Sequence, residues 1–194
     1  MLQTTTGLRP VVSDHNRGQD HMQRILLLLL SASLSVAAGS PPKNLAATIT
    51  KEAQSYASAL FAGDYEVVIA HTNKRIVEMM GGKEIALIKW KSGMSGARES
   101  GYGFTEITLG TPAEPRKIGS WLTSMVPQHL VAKVPGGRII EDSMLLGISE
   151  DSGKSWVFFD LGDFFIAKEL FTKMFPELDG QIKIPEKKQK FQKD

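Results

Sequence analysis

The sequence predicts an α+β fold: N-terminal helices packed on a curved antiparallel sheet, with one more helix near the C-terminal end. Three observations predict it. Apolar residues recur every three and four positions from Leu45 into the nineties, which is helical spacing. From Thr105 to Leu161 short β-forming runs follow, separated by proline, glycine and polar turns. The two patterns occupy separate stretches and do not alternate, and that segregation distinguishes α+β from α/β.

The first element is an address. Met22-Gln23-Arg24, the apolar run Ile25 to Leu30 and the small residues Ser31 to Ala38 match an export signal. The apolar run is too short for a permanent span. Residues 1–21 are polar and read as an extended or non-native N-terminus, with Met22 as the expected start. The mature chain is expected to begin near Gly39, with a linker over 39–44, a single domain over 45–176 and a basic flexible tail over 177–194. Its destination is the periplasm or the outside of the cell.

Leu45, Ile49, Ala53, Tyr56 and Leu60 form one stripe, so a helix is expected from Leu45 to Ala62. Gly63 stops it, and Asp64 caps a second helix from Tyr65 to Thr72. Asn73 caps a third, which Gly81-Gly82 ends. A fourth runs from Lys83 to Arg98, with Ile85, Ile88 and Met94 among its apolar positions; Gly93 and Gly96 weaken its last turns. Five strands follow: Thr105 to Leu109, Lys117 to Val126 (broken by Pro127), Gln128 to Val134, Ile139 to Ile148, and Ser155 to Leu161. Pro135-Gly136-Gly137-Arg138 is the strongest turn signal, with the paired glycines as its centre. Asp163 caps a last helix that Pro176 ends.

With 42% hydrophobic and 23% charged residues, the chain is not wholly disordered. Net charge is +2 with both signs interspersed, so the folded region lacks the basic face that nucleic-acid binding needs. There is no cysteine, which removes disulfides, thiolate metal sites and a cysteine nucleophile. No H-E-x-x-H or G-x-S-x-G pattern occurs, and Gly81-Gly82-Lys83 falls short of a phosphate-binding loop. No cofactor and no metal are therefore expected.

The helical hairpin carrying Ala62-Gly63-Asp64-Tyr65-Glu66, a further helix and then a meander resembles the nuclear transport factor 2-like superfamily, over roughly Leu45 to Leu161. The resemblance implies a cystatin-like cone with a cavity. It implies no particular reaction, because such cones serve isomerases, dehydratases and many non-catalytic binding or assembly modules. The tyrosine-plus-two-aspartate site of ketosteroid isomerases maps to nothing in this chain. Separately, Ser149-Glu150-Asp151-Ser152-Gly153-Lys154-Ser155-Trp156 resembles the Asp-box turn of sialidase propellers. One such hairpin cannot build a propeller, so its expected role is a structural turn. The same acidic turn lacks the ligand density of a calcium loop.

Candidate site residues come from the hairpin. A Gly136-Gly137 turn would pair Pro135 with Arg138 and make His129 and Asp142 diagonal neighbours on one sheet face, which Lys133, Ile140 and Met144 share. An imidazole beside a carboxylate serves as a general base or a ligand anchor, or is simply a solvated ion pair. Phe158 and Phe159 are adjacent, so a strand sends them to opposite faces. One packs under the helices; the other is covered by the last helix or lines a ligand cavity or a dimer interface. His71, near the end of the second helix, is expected to meet the helix dipole, and Asp64 to be a cap and not a base. The resulting expectation is an exported, non-catalytic domain that binds a small apolar ligand or a protein partner. Its ligand-pocket residues are His129, Lys133, Asp142, Met144, Phe158 and Phe159. The alternatives are an isomerase or hydrolase using His129 and Asp142, and a peptide-binding or assembly module.

Overall fold

A computed structural model of the chain describes residues 44–162, 168–183, 185 and 188–194. The export signal, the linker up to residue 43 and the start of the last helix at Asp163 lie outside the described residues. Among the described residues no helix is long and apolar enough to cross a membrane.

Helix α1, Leu45–Ala62, begins where the Asn44 side chain accepts from the Ala47 N–H at 3.0 Å. It ends at Gly63, whose φ of 78° is the left-handed conformation that closes a helix most readily on glycine. Asp64 then does two things. Its N–H bonds Ala59 O at 2.9 Å, and its carboxylate accepts from the Val67 N–H at 3.3 Å, capping α2, Tyr65–Ala70. Asn73, itself buried, caps α3, Lys74–Met79, through the Arg75 N–H at 2.9 Å. Helix α4 spans Lys83–Glu99.

The strands are β1, Gly103–Leu109; β2, Arg116–Ile118; β3, Trp121–Val134; β4, Gly137–Ser149; β5, Val157–Asp160; and β6, Lys188–Lys193. They form one antiparallel sheet in the order β1-β3-β4-β5, with β2 also on β3 and β6 also on β4. The fold class is α+β, as expected, but three features of the sheet differ from the sequence reading.

First, Pro127 does not break a strand. The expected run Lys117 to Val126 turns back at Gly119-Ser120, and β3 then continues through Pro127 to Val134. The Pro127 carbonyl accepts from the Gly110 N–H at 2.8 Å, where β1 has already ended. On a strand the N and C=O of one residue point to the same side, so the missing donor interrupts no ladder. Second, the hairpin turns at Pro135-Gly136 and pairs Val134 with Gly137. Proline fixes φ at the first turn position and Gly136, at φ 80°, supplies the second. Third, the tail expected to be flexible adds β6 to the β4 edge, over Gly137 to Asp142.

The sheet buries both faces. On one, Ile49, Ala53, Tyr56 and Leu60 of α1 pack on Val126, Leu145, Trp156 and Phe158. On the other, Trp121, Leu146, Ile148 and Phe159 pack under Ile76 of α3 and the C-terminal Phe171, Phe175 and Leu178. That C-terminal segment comprises α5, Lys168–Met174, and a 3-10 turn, Pro176–Leu178. The Arg75 guanidinium holds it in place. It donates to both Glu177 carboxylate oxygens at 2.8 and 3.0 Å and to Met174 O at 2.9 Å, and lies 4.9 Å over the Trp121 ring.

Between β4 and β5 lies the Ser149–Trp156 turn. The Asp151 carboxylate accepts from the Ser149 and Ser155 hydroxyls at 2.8 and 2.7 Å and from the Lys154 and Ser155 N–H groups at 3.1 and 3.0 Å. Desolvation raises the Asp151 carboxyl, but these four bonds together outweigh it and hold the group below the usual carboxylate range. Trp156 donates from Nε1 to Gly153 O at 3.2 Å and is buried in the α1 core.

Candidate functional site

The edge of β4 is shared. β6 pairs with Gly137 to Asp142 and β5 with Leu145 to Ile148, which leaves Ser143 and Met144 between them. The chain closes this gap only partly, through a bond from the Leu161 N–H to Met144 O at 2.9 Å. Over it opens a cleft of about 590 Å³. That size suits a small molecule.

Side chains on a strand alternate between faces, and directly paired residues share a face. His129 and Asp142 therefore stand on the same side as Trp121, Met125 and Leu146, the side turned away from α1. The ladder places Thr108 opposite His129, His129 opposite Asp142 and Asp142 opposite Lys188. A polar row thus crosses four strands, and all four residues line the cleft. His129 Nδ1 lies 2.7 Å from Asp142 Oδ1, with the side chains 38% and 62% exposed. Because a carboxylate only accepts, Nδ1 is the donor, and Nε2 is left without a partner among the described residues. Next to the row the lining is apolar: Leu109, Pro127, Met144, Leu161 and Pro185.

His129 and Asp142 are direct partners and not diagonal ones. They meet on the far face of the sheet and not between the sheet and α1, so a dyad inside a helix-covered cone is not what the fold builds. Met144 lines the same cleft. Lys133 shares the face but lies farther along β3, exposed, at the rim of a separate groove of about 240 Å³. That groove is apolar and runs between Met94, Ala97 and Tyr102 on one side and Phe104, Val134 and Ile139 on the other. Phe158 and Phe159 do point to opposite faces, but each is buried in a core and lines neither opening. Sequence reasoning misses Thr108, Leu161 and Lys188. Only the pairing of β1 and β6 brings the first and last to the row.

The opposite face of the sheet carries a buried polar group. Gln128 donates from Nε2 to Asp160 Oδ2 at 2.9 Å and more weakly to Ser143 Oγ at 3.4 Å, and the Gly162 N–H donates to Asp160 Oδ1 at 2.7 Å. Gln128 Oε1 is buried without a hydrogen-bond partner. Burial pushes the Asp160 carboxyl up, and the bonds from Gly162 and Gln128 only partly offset it. The Tyr56 hydroxyl is likewise pushed up, by burial first and then by the Asp160 charge.

The other candidates are structural. His71 Nδ1 donates to Val67 O at 2.9 Å, and Nε2 meets Glu52 Oε2 at 3.1 Å, so a carboxylate on α1 adds to the expected helix-end contact. The His71 carbonyl accepts from the Phe158 N–H at 2.7 Å, which ties α2 to β5. Asp64 is a cap. Among the described residues no three His, Asp or Glu gather in a way that could hold a metal ion.

No protein-family model matches the chain, and no curated protein and no solved structure matches it.

Proposed function

We propose that this protein is an exported, non-catalytic binding domain of the nuclear transport factor 2-like type that holds a small, largely apolar molecule in the cleft over Ser143-Met144. The observation that carries the reading is the cleft itself. About 590 Å³ of open volume stands beside a fixed polar pair, His129 and Asp142, with Leu109, Pro127, Met144 and Leu161 as apolar walls. Such a mixture, mostly apolar with a few placed polar groups, is how small-molecule sites are built. Helices that precede an antiparallel sheet, with α1 packed on one face, support the superfamily reading. The run from Met22 to Ala38 supports export.

One preparation tests both parts. Expressed in an export-competent host, the purified chain should have an intact mass beginning near Gly39 and should bind the neutral dye Nile red saturably. Met144→Lys places a charge in the apolar wall and should weaken binding by about tenfold or more, because the dye then buries less apolar surface. Met94→Lys, in the other groove, should leave it unchanged. A retained signal would refute export. Equal effects of the two variants would refute the cleft.

A second reading is acid–base catalysis, and the 2.7 Å contact between His129 and Asp142 favours it. The contact orients the ring and leaves Nε2 for proton transfer. His129→Gln would then abolish turnover while leaving dye affinity intact.

A further inference from the structure

The described lining of the cleft holds one lysine, Lys188. Where β3, β4 and β6 run side by side, four cations stand on the face that carries the cleft: Lys133 and Arg138, which are direct partners, and Lys188 and Lys190, which β6 brings to Asp142 and Ile140. Among the described residues of that face the carboxylates are Asp142, Glu106 from β1 and Asp194, which follows β6 beside Gly136, while Glu141 is buried on the other face of β4. Asp142 is already engaged, since its Oδ1 accepts from His129 Nδ1 at 2.7 Å. Lys188 is its cross-strand neighbour yet makes no ion pair with it. Lys188 therefore lines the cleft with no ion pair among the described residues, and His129 stands on the other side of Asp142. Adjacent strands are about 4.8 Å apart, so the backbones of His129 and Lys188 are roughly 10 Å apart, and a lysine side chain spans much of that distance.

From this arrangement we infer that the ligand of the cleft is an anionic amphiphile: one carboxylate-like head held by the Lys188 ammonium, and a short apolar chain lying on Pro127, Met144 and Leu161. This deepens, and rests on, the reading of the cleft as a binding site. The occupant is a single free molecule and not a membrane surface, because the opening is a bounded cleft and not an extended apolar face. A charge-assisted contact discriminates strongly against the same chain with a neutral head.

The test is calorimetric titration of the full chain with octanoate, octan-1-ol and octylammonium, with Lys188→Gln as the variant. Octanoate should bind about tenfold more tightly than octan-1-ol, the factor expected for one charge-assisted hydrogen bond. Octylammonium should bind worst. Lys188→Gln should bring octanoate to the level of octan-1-ol without changing the alcohol. Equal binding of the three heads, or a preference for the amine, overturns the anionic assignment and leaves the cleft standing. Failure of all three to bind, with Nile red also unbound, overturns the cleft reading itself. Sedimentation with phosphatidylglycerol vesicles, without octanoate binding, would overturn the single-molecule assignment; the expected result is no sedimentation.

Discussion

Asp160 sits buried between two donors, the Gly162 N–H and the Gln128 amide, with no cation among the groups that bond it. Its raised carboxyl has a definite consequence for stability. The folded state holds this proton more tightly than the unfolded chain does, so ionised Asp160 is a cost of folding. That cost is absent below the ordinary carboxyl value of about 3.9, grows as pH rises from there through the raised folded value, and then levels off. In Asp160→Asn the amide oxygen keeps the Gly162 bond, and Gln128 can turn to offer the otherwise unpaired Oε1. Chemical-denaturation midpoints measured across pH should show the variant overtaking the native chain as pH rises and the two converging in acid. A variant destabilised equally at every pH would refute the buried-charge account. None of this is legible in the sequence. Gln128, Ser143 and Asp160 lie on three strands and meet only through register. Asp64, by contrast, is legible as a cap because its partner is three residues away.

At the scale of elements, local signals locate the helices and non-local pairing decides the strands. Helix α1 has its expected bounds because its stripe and its Gly63-Asp64 exit lie within one short stretch. The hairpin is where its turn residues place it but shifted by one, since Pro135-Gly136-Gly137 accommodates two turns. The shift alters the partner of His129 and keeps its face, which is why His129, Asp142 and Met144 are found together. Strand β6 is illegible: Lys-Gln-Lys-Phe-Gln-Lys has weak strand character of its own, and β4 supplies its ladder. It follows that β6 protects an edge as well as providing Lys188. Deleting residues 188–194 should expose the Gly137 to Asp142 edge and drive self-association, visible by light scattering as growth in mass with concentration. A strictly monomeric truncated chain of unchanged stability would contradict the pairing.

For the whole molecule, covering the sheet on both faces explains why the opening lies where it does. One face is filled by α1. The other is filled by Phe171, Phe175 and Leu178 over the Trp121 and Phe159 end, and the cleft begins where that cover stops, next to the gap between β5 and β6. Adjacent aromatics on a strand suggest a pocket from the sequence, but covering both faces turns Phe158 and Phe159 into core. The most direct test of the central claim is methyl and imidazole NMR during titration of the full chain with octanoate. The Met144 methyl and the His129 ring resonances should move together and saturate, while the Met94 methyl stays fixed. Movement of Met94 without Met144 and His129 would place the ligand in the groove beside Tyr102 and contradict the account.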